Sequence, residues 1–256
     1  RQEQSRVLLV LGMHRSGTSA ATRVLNLLGA NLGDNLVEPG PDNPDGFWEH
    51  AEAVRINDAL LEGLGRTWYD MREMPQNWQD TEAAEQAFAQ IQTLIRQDFR
   101  PGLLWAIKDP RMCLTASIWI SALRGLGYAV DCLFVVRNPR EVVDSLHVRN
   151  NWVRGPLYLM WVQYLMEAEA ASRHERRTLI TYDELLADWR GTMQRVAVEL
   201  EIAWPVTPEA ASAEVGAFLN KGRRHHVTDS VEEGDADDEM PELAGKLYQA
   251  CLAISR

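Results

Sequence analysis

Residues 6 to 28 constrain the fold more than any other stretch. The apolar run Arg6 to Leu11 (RVLLVL) passes into Gly12-Met13-His14-Arg15-Ser16-Gly17-Thr18-Ser19, and an apolar pattern at helical spacing, Ser19 to Leu28, follows at once. A short unbroken apolar run is the pattern of a strand buried on both faces. A strand that turns through glycines straight into a helix is the opening unit of a parallel α/β sheet. Gly12 and Gly17 free the backbone to turn its N–H groups inward, and the helix N-terminus adds its partial positive charge to the same concavity. The segment therefore reads as an anion nest at the end of a parallel strand.

The rest of the chain repeats this alternation. Leu103 to Ile107, Val130 to Val136 and Thr178 to Thr181 read as further strands. Glu82 to Phe99, Leu114 to Leu123, Pro139 to Val148, Leu157 to Arg173 and Thr192 to Leu200 carry apolar residues at helical spacing. The expected fold class is α/β, with a P-loop-like central parallel sheet flanked by helices on both faces, in a single domain over residues 1–256. Gly29 to Gly46 is a long turn-rich loop, of a length that inside a compact domain usually serves function. The 256 residues carry 26 Lys and Arg against 37 Asp and Glu, a net charge of −11. Asp229 to Glu242 (DSVEEGDADDEMPE) supplies −8 of this and is expected to be a flexible acidic loop. An acidic chain argues against a binder of nucleic acid polymers, which needs a broad basic field. No apolar stretch reaches the roughly 20 residues of a transmembrane helix. Three cysteines, Cys113, Cys132 and Cys251, without CxxC spacing, argue against a disulfide framework or thiolate metal site and for a reducing, cytoplasmic compartment. The first residue is Arg, as in a trimmed product or one module of a longer chain. Oligomeric state is not legible.

The spacing GxxxxG followed by two hydroxyl residues is that of a P-loop, but Thr18 stands where a nucleoside triphosphatase places the Lys that reaches the β- and γ-phosphates. The loop's cation is Arg15. Three other segments accompany it: Arg137-Asn138-Pro139-Arg140-Glu141 with Ser145 eight residues after Arg137, Trp105-Ala106-Ile107-Lys108-Asp109-Pro110-Arg111 at a strand end, and Asn43-Pro44-Asp45-Gly46-Phe47-Trp48-Glu49-His50. Asn138, Pro139 and Glu141 suit the cap, first turn and capping box of a helix, which puts Arg137 beside a helix mouth. Together these segments resemble the sulfotransferases that use 3′-phosphoadenosine 5′-phosphosulfate (PAPS), in particular the bacterial type, over most of the chain up to about His226.

The resemblance implies a donor site in which Arg15, Ser16, Gly17, Thr18 and Ser19 hold the 5′-phosphosulfate and Arg137 and Ser145 the 3′-phosphate. It implies that Tyr182, in Thr181-Tyr182-Asp183-Glu184-Leu185-Leu186, lies near the adenine, and that Arg224, in a basic loop Phe218 to His226, closes over the nucleotide. Lys108 would stand over the sulfuryl group, with Arg15 sharing the charge of the leaving oxygen. Cytosolic members place a catalytic His two residues after that Lys; here Pro110 occupies the position, so the base must come from elsewhere. Glu49 is the first candidate, because Phe47 and Trp48 can exclude water and raise its pKa. Glu38, His14 and His50 are alternatives. The expected reaction is in-line transfer of the sulfuryl group to a hydroxyl of a small-molecule, lipid or glycan acceptor, with no metal required. Two other readings remain: a P-loop-like small-molecule or nucleotide kinase, with Asp109 as a Mg²⁺ ligand, and a non-catalytic nucleotide-binding module. Trp48, Trp68, Tyr69, Trp78, Trp152, Tyr158, Trp161 and Tyr164 divide between core packing and a stacking surface for an acceptor.

Overall fold

The computed structural model describes residues 5–41, 43–228 and 240–255, with the backbone alone at 221–228. Four strands, β1 (Arg6–Leu11), β2 (Leu104–Lys108), β3 (Ala129–Val136) and β4 (Arg176–Thr181), form one parallel sheet in the order β2-β1-β3-β4. Ten α-helices are described, besides one 3-10 turn at Trp78–Asp80: α1 (Thr18–Leu27), α2 (Ala51–Gly63), α3 (Glu82–Asp98), α4 (Met112–Gly125), α5 (Pro139–Asn150), α6 (Arg154–Ser172), α7 (Tyr182–Ala187), α8 (Trp189–Glu199), α9 (Pro208–Thr228) and α10 (Glu242–Ile254). Among these residues no helix is long and apolar enough to cross a membrane.

Alternation along β1 splits the core into two layers. Val7, Leu9 and Leu11 face a cluster built with α2 to α6 and α10, whereas Leu8 and Val10 face one built with α1, α8 and α9. The expected parallel sheet, covered on both faces, is present. Its order places a reversal between β1 and β3: the chain leaves β1 for β2 on one side, then crosses to β3 and β4 on the other. Ligands of open α/β sheets bind at such a reversal, outside the carboxyl ends of the strands. The segments starting at Gly12 and Arg137 emerge there, side by side.

The loop after α1 also serves the sheet. Asn31 donates its N–H to the Leu104 carbonyl and accepts from Ala106 N–H, both at 2.9 Å, which covers the outer edge of β2. Helix starts follow local chemistry. The Asn138 side chain accepts from Arg140 N–H at 3.0 Å, with Pro139 in the first turn. The expected capping box with Glu141 does not form, because Arg137 Nε takes the Glu141 carboxylate at 2.6 Å. Thr181 and Glu184 do form a complete box at the start of α7. The segment expected as a basic loop, Phe218 to His226, is instead helical backbone within α9; the Arg224 side chain and residues 229–239 of the acidic segment lie outside the described residues.

Candidate active site

The loop after β1 is shaped by two left-handed residues, Arg15 (φ 68°) and Gly17 (φ 88°), with Ser16 N–H bonded to the Met13 carbonyl at 3.1 Å. Gly17 is the N-cap of α1 and no side chain caps that helix, so its first N–H groups have only the loop mouth to point into. Glycine is required at this position by its backbone and by its surroundings. A Cβ on Gly17 would lie 2.2 Å from the Tyr182 ring, and one on Gly12 2.5 Å from the Val135 carbonyl. Beneath the loop Gly12 N–H bonds to the Cys113 sulfur at 3.2 Å.

On one side of the loop lie the residues from β3 and β4. Arg15 Nε donates to Ser145 Oγ at 2.8 Å, and Arg137 Nη1 donates to the Arg15 carbonyl at 3.3 Å. The Arg137 guanidinium lies 5.2 Å from the Tyr182 ring centroid, over the ring that closes on Gly17. Thus Arg15, Gly17, Arg137, Ser145 and Tyr182, which come from three separate stretches of sequence, form one cluster.

On the other side lies a buried ion pair. Lys108 Nζ, at the end of β2, is 2.6 Å from Glu49 Oε1, 3.0 Å from Ser19 Oγ and 2.9 Å from the Phe47 carbonyl. Asn43 adds a bond from its amide to Ser19 Oγ at 3.3 Å. Burial pushes the Glu49 carboxyl above the usual glutamate range, with Lys108 pulling in the opposite direction and Asp109 adding to the rise. Trp48, immediately before it, has left-handed backbone (φ 58°) and is held by the Arg23 guanidinium 4.4 Å from its ring centroid. A bulky residue in that conformation is strained, and such strain concentrates at working sites.

Ser16 and Thr18 are buried in the loop itself, and the Thr18 carbonyl accepts from Thr22 Oγ at 2.8 Å. His14 packs its ring 4.4 Å from that of Trp68, with its Nε2 out of contact with solvent. Burial first, and then Arg111, Arg149, Lys108 and Arg15, hold its pKa well below the ordinary imidazole value, so the ring is neutral. His50 stands at the N-cap position of α2 without capping it, and its Nε2 meets Asp98 Oδ2 at 3.1 Å, in a surface groove of about 410 Å³ between α2 and α3. Glu38 is exposed. Neither His50 nor Glu38 shares the ion pair of Glu49.

Asp109, the residue a kinase would need for Mg²⁺, is fully buried with both oxygens occupied. Arg111 donates to Oδ1 through its N–H at 3.1 Å and Nη1 at 2.9 Å, and Asn57 Nδ2 donates to Oδ2 at 2.8 Å. Asn57 in turn accepts at Oδ1 from Thr115 and Trp119, both at 2.8 Å. Asp109 therefore anchors the end of β2 to α2 and α4, which fixes where Lys108 points. Asn57 was not among the residues singled out from sequence; its signal was a lone amide on the apolar face of Ala53, Ile56 and Leu60.

No family model matches the chain, and no curated protein matches it in sequence. Among solved structures it is similar to the sulfotransferase domain from the Synechococcus PCC 7002 olefin synthase, at 16% identity and a TM-score of 0.51, over 98% of this chain and 95% of that one. It is similar also to the sulfotransferase domain from the curacin biosynthetic pathway, at 14% identity and a TM-score of 0.50, over 96% and 97%. At such identities the likeness is one of fold: the chain has the α/β fold of these sulfotransferase domains.

Proposed function

We propose that this protein is a sulfotransferase that moves a sulfuryl group from PAPS to the hydroxyl of a small-molecule, lipid or carbohydrate acceptor. The observation that carries this reading is the convergence of two cationic clusters on the start of α1: Arg15 joined to Ser145 beside Arg137, and Lys108 joined to Ser19 and Glu49. A ligand with a phosphosulfate on one side of a ribose and a second phosphate on the other offers an anionic group to each cluster. The N-terminus of α1, which no side chain caps, also suits a phosphate held by backbone N–H groups.

When bound, the donor supplies a sulfuryl group whose bond to the 5′-phosphate oxygen breaks as the acceptor oxygen bonds to sulfur. The amides of Gly17, Thr18 and Ser19, with the Ser16 and Thr18 side chains, hold the phosphosulfate end. Arg137 and Ser145 hold the 3′-phosphate, and Tyr182 bounds the nucleotide where its ring meets Gly17. Arg15 spans the two ends, since its side chain reaches Ser145 from within the loop. Lys108 offsets negative charge on the departing oxygen. Glu49 accepts the acceptor's proton. The ion pair between the last two gives the site a resting state: Lys108 can exchange Glu49 for an incoming anion, and a released carboxylate is the stronger base. A sulfuryl group carries less charge than a γ-phosphate, so amides and two cations replace the metal and lysine of a triphosphate site.

Glu49→Gln tests the reading. The variant is expected to bind 3′-phosphoadenosine 5′-phosphate (PAP) while losing transfer about 100-fold or more, in the range of a lost general base. In the parent protein kcat/KM should rise with pH through a Glu49 pKa lying above the usual glutamate range, because only the deprotonated carboxylate takes the proton. That acid limb should be absent from the residual activity of Glu49→Gln. Full activity in the variant would remove Glu49 as base.

A further inference from the structure

The segment that carries Glu49 is seated on α1 at two points one helical turn apart. Asn43 Nδ2 donates to Ser19 Oγ at 3.3 Å, and the Arg23 guanidinium lies 4.4 Å from the Trp48 ring centroid. Asn43 also organises its own loop. Its N–H donates to the Gly40 carbonyl at 3.0 Å, its carbonyl accepts from Gly46 N–H at 3.1 Å, and its Nδ2 donates to the Gly46 carbonyl at 2.8 Å. A backbone carbonyl only accepts, so the side-chain atom facing Gly46 is the amide nitrogen, and the same nitrogen meets Ser19. Ser19 has a second donor on it. Lys108 Nζ stands 3.0 Å from the same oxygen and directs its other two hydrogens to Glu49 and the Phe47 carbonyl. An ammonium and an amide nitrogen only donate, and a hydroxyl has two lone pairs and one hydrogen. Both lone pairs of Ser19 are therefore taken, and its hydrogen is left to give. Among the described residues no protein group accepts it, whereas Thr22, in the next turn of α1, gives its own to the Thr18 carbonyl at 2.8 Å.

We propose that Asn43 is a positioning residue for the donor: it commits the Ser19 hydroxyl to giving its hydrogen to the anion at the 5′ end of the nucleotide. This rests on the sulfotransferase reading above. Ser19 lies in the first turn of α1, beside the uncapped N–H groups to which that anion is drawn. With Lys108 and Asn43 on its two lone pairs, the hydroxyl has one direction left for its hydrogen, and a hydrogen bond to an anion is among the stronger kinds. Without Asn43 one lone pair is released, the hydrogen can rotate into its place, and the contact to the anion is held only part of the time. Asn43 touches no reacting atom; it acts through Ser19, 24 positions away. The same contact ties the loop that bears the base to the helix that holds the donor.

Calorimetric titration of PAP, and of adenosine 3′-phosphate, which lacks the 5′ anion, into the parent, Ser19→Ala, Asn43→Ala and the double variant tests this. Ser19→Ala is expected to weaken PAP binding about tenfold, the loss of one charge-assisted hydrogen bond. Asn43→Ala should weaken it several-fold to about tenfold. The double variant should fall no more than about twofold below Ser19→Ala, because Asn43 acts through that hydroxyl. Adenosine 3′-phosphate should bind all four proteins with affinities within about twofold of one another. Asn43→Asp keeps the shape but offers only acceptor oxygens, which draw the Ser19 hydrogen away from the ligand, so it should bind PAP at least as weakly as Asn43→Ala. A role confined to folding the 40–46 turn would instead make the two losses multiply in the double variant. That result, or parental PAP affinity in folded Asn43→Ala, would overturn the proposal. Thermal melting shows which variants fold; if Asn43→Ala does not, parental PAP affinity in Asn43→Asp overturns it equally. If neither nucleotide binds the parent, the donor reading falls. Thermal stabilisation by inorganic phosphate, lost alike in Ser19→Ala and Asn43→Ala, would then still support the role of Asn43, and stabilisation that is absent or equal in all would count against it.

Discussion

Gly17 occupies a left-handed backbone position with the Tyr182 ring where any side chain would go, so two independent constraints meet on one residue. Gly17→Ala is expected to cost about 1–3 kcal/mol of stability from backbone strain alone. It should weaken PAP binding further by pushing the Tyr182 ring off the loop; thermal melting with and without PAP measures both. An unchanged PAP-induced shift in melting temperature would show that Tyr182 and Gly17 do not bound the nucleotide. At this scale the residues that the structure brings together around the loop were legible. Arg15 could be named from the spacing of the loop, and Ser145, Lys108 and Glu49 from the segments that resemble those of sulfotransferases. Their pairing was not legible: nothing in sequence places Arg15 against Ser145, 130 positions away, or closes Glu49 onto Lys108. The partners of His14 were hidden for the same reason, since a ring contact between residues 14 and 68 leaves no local pattern. Asn57, an amide within an apolar face, reads as a flaw in a helix until Asp109 is seen opposite it.

Elements with a strong period and clear ends were readable, and those lacking one or the other were not. The four strands and the helices from α3 to α6 announce themselves by unbroken apolar runs or by amphipathic spacing over ten or more residues. In α2, Ala53, Ile56, Leu60 and Leu61 do lie on one face, but the helix opens directly from a Pro- and Gly-rich loop at His50, with no side-chain cap to mark its start. In α9, Ala211, Val215 and Leu219 provide one buried position per turn, and the basic residues that follow read as a loop because charge displaced the apolar signal. The start of α7 carries a prediction of its own. Its capping box holds Thr181 to Glu184 and sets the direction in which Tyr182 leaves β4. Thr181→Ala removes the box, and should lower stability by about 1 kcal/mol, a few degrees in melting temperature. PAP affinity should fall several-fold because Tyr182 is no longer fixed over Gly17. A melting temperature that falls while PAP affinity stays the same would confine Thr181 to a structural role.

For the whole molecule, the strand order β2-β1-β3-β4 is what makes a site from separate motifs. The reversal between β1 and β3 brings the Gly12 loop and the Arg137 turn to one crevice, and β2 on the outer side of β1 brings Lys108 to its opposite wall. The parallel class of the sheet followed from alternation of strands and helices, but strand order depends on which crossovers pack, which residue patterns do not encode. The net charge of −11 is misleading as a global number, because one segment supplies most of it and the site gathers Arg15, Lys108 and Arg137 from separate strand ends and loops. The central claim is that this crevice binds a 3′-phosphorylated adenosine nucleotide. Isothermal titration calorimetry of the whole chain with PAP, adenosine 5′-phosphate and ATP with Mg²⁺ tests it most directly. PAP is expected to bind without Mg²⁺ and at least about 100-fold more tightly than adenosine 5′-phosphate, as two lost charge-assisted contacts at Arg137 and Ser145 require. ATP binding that needs Mg²⁺ and exceeds that of PAP would contradict the account.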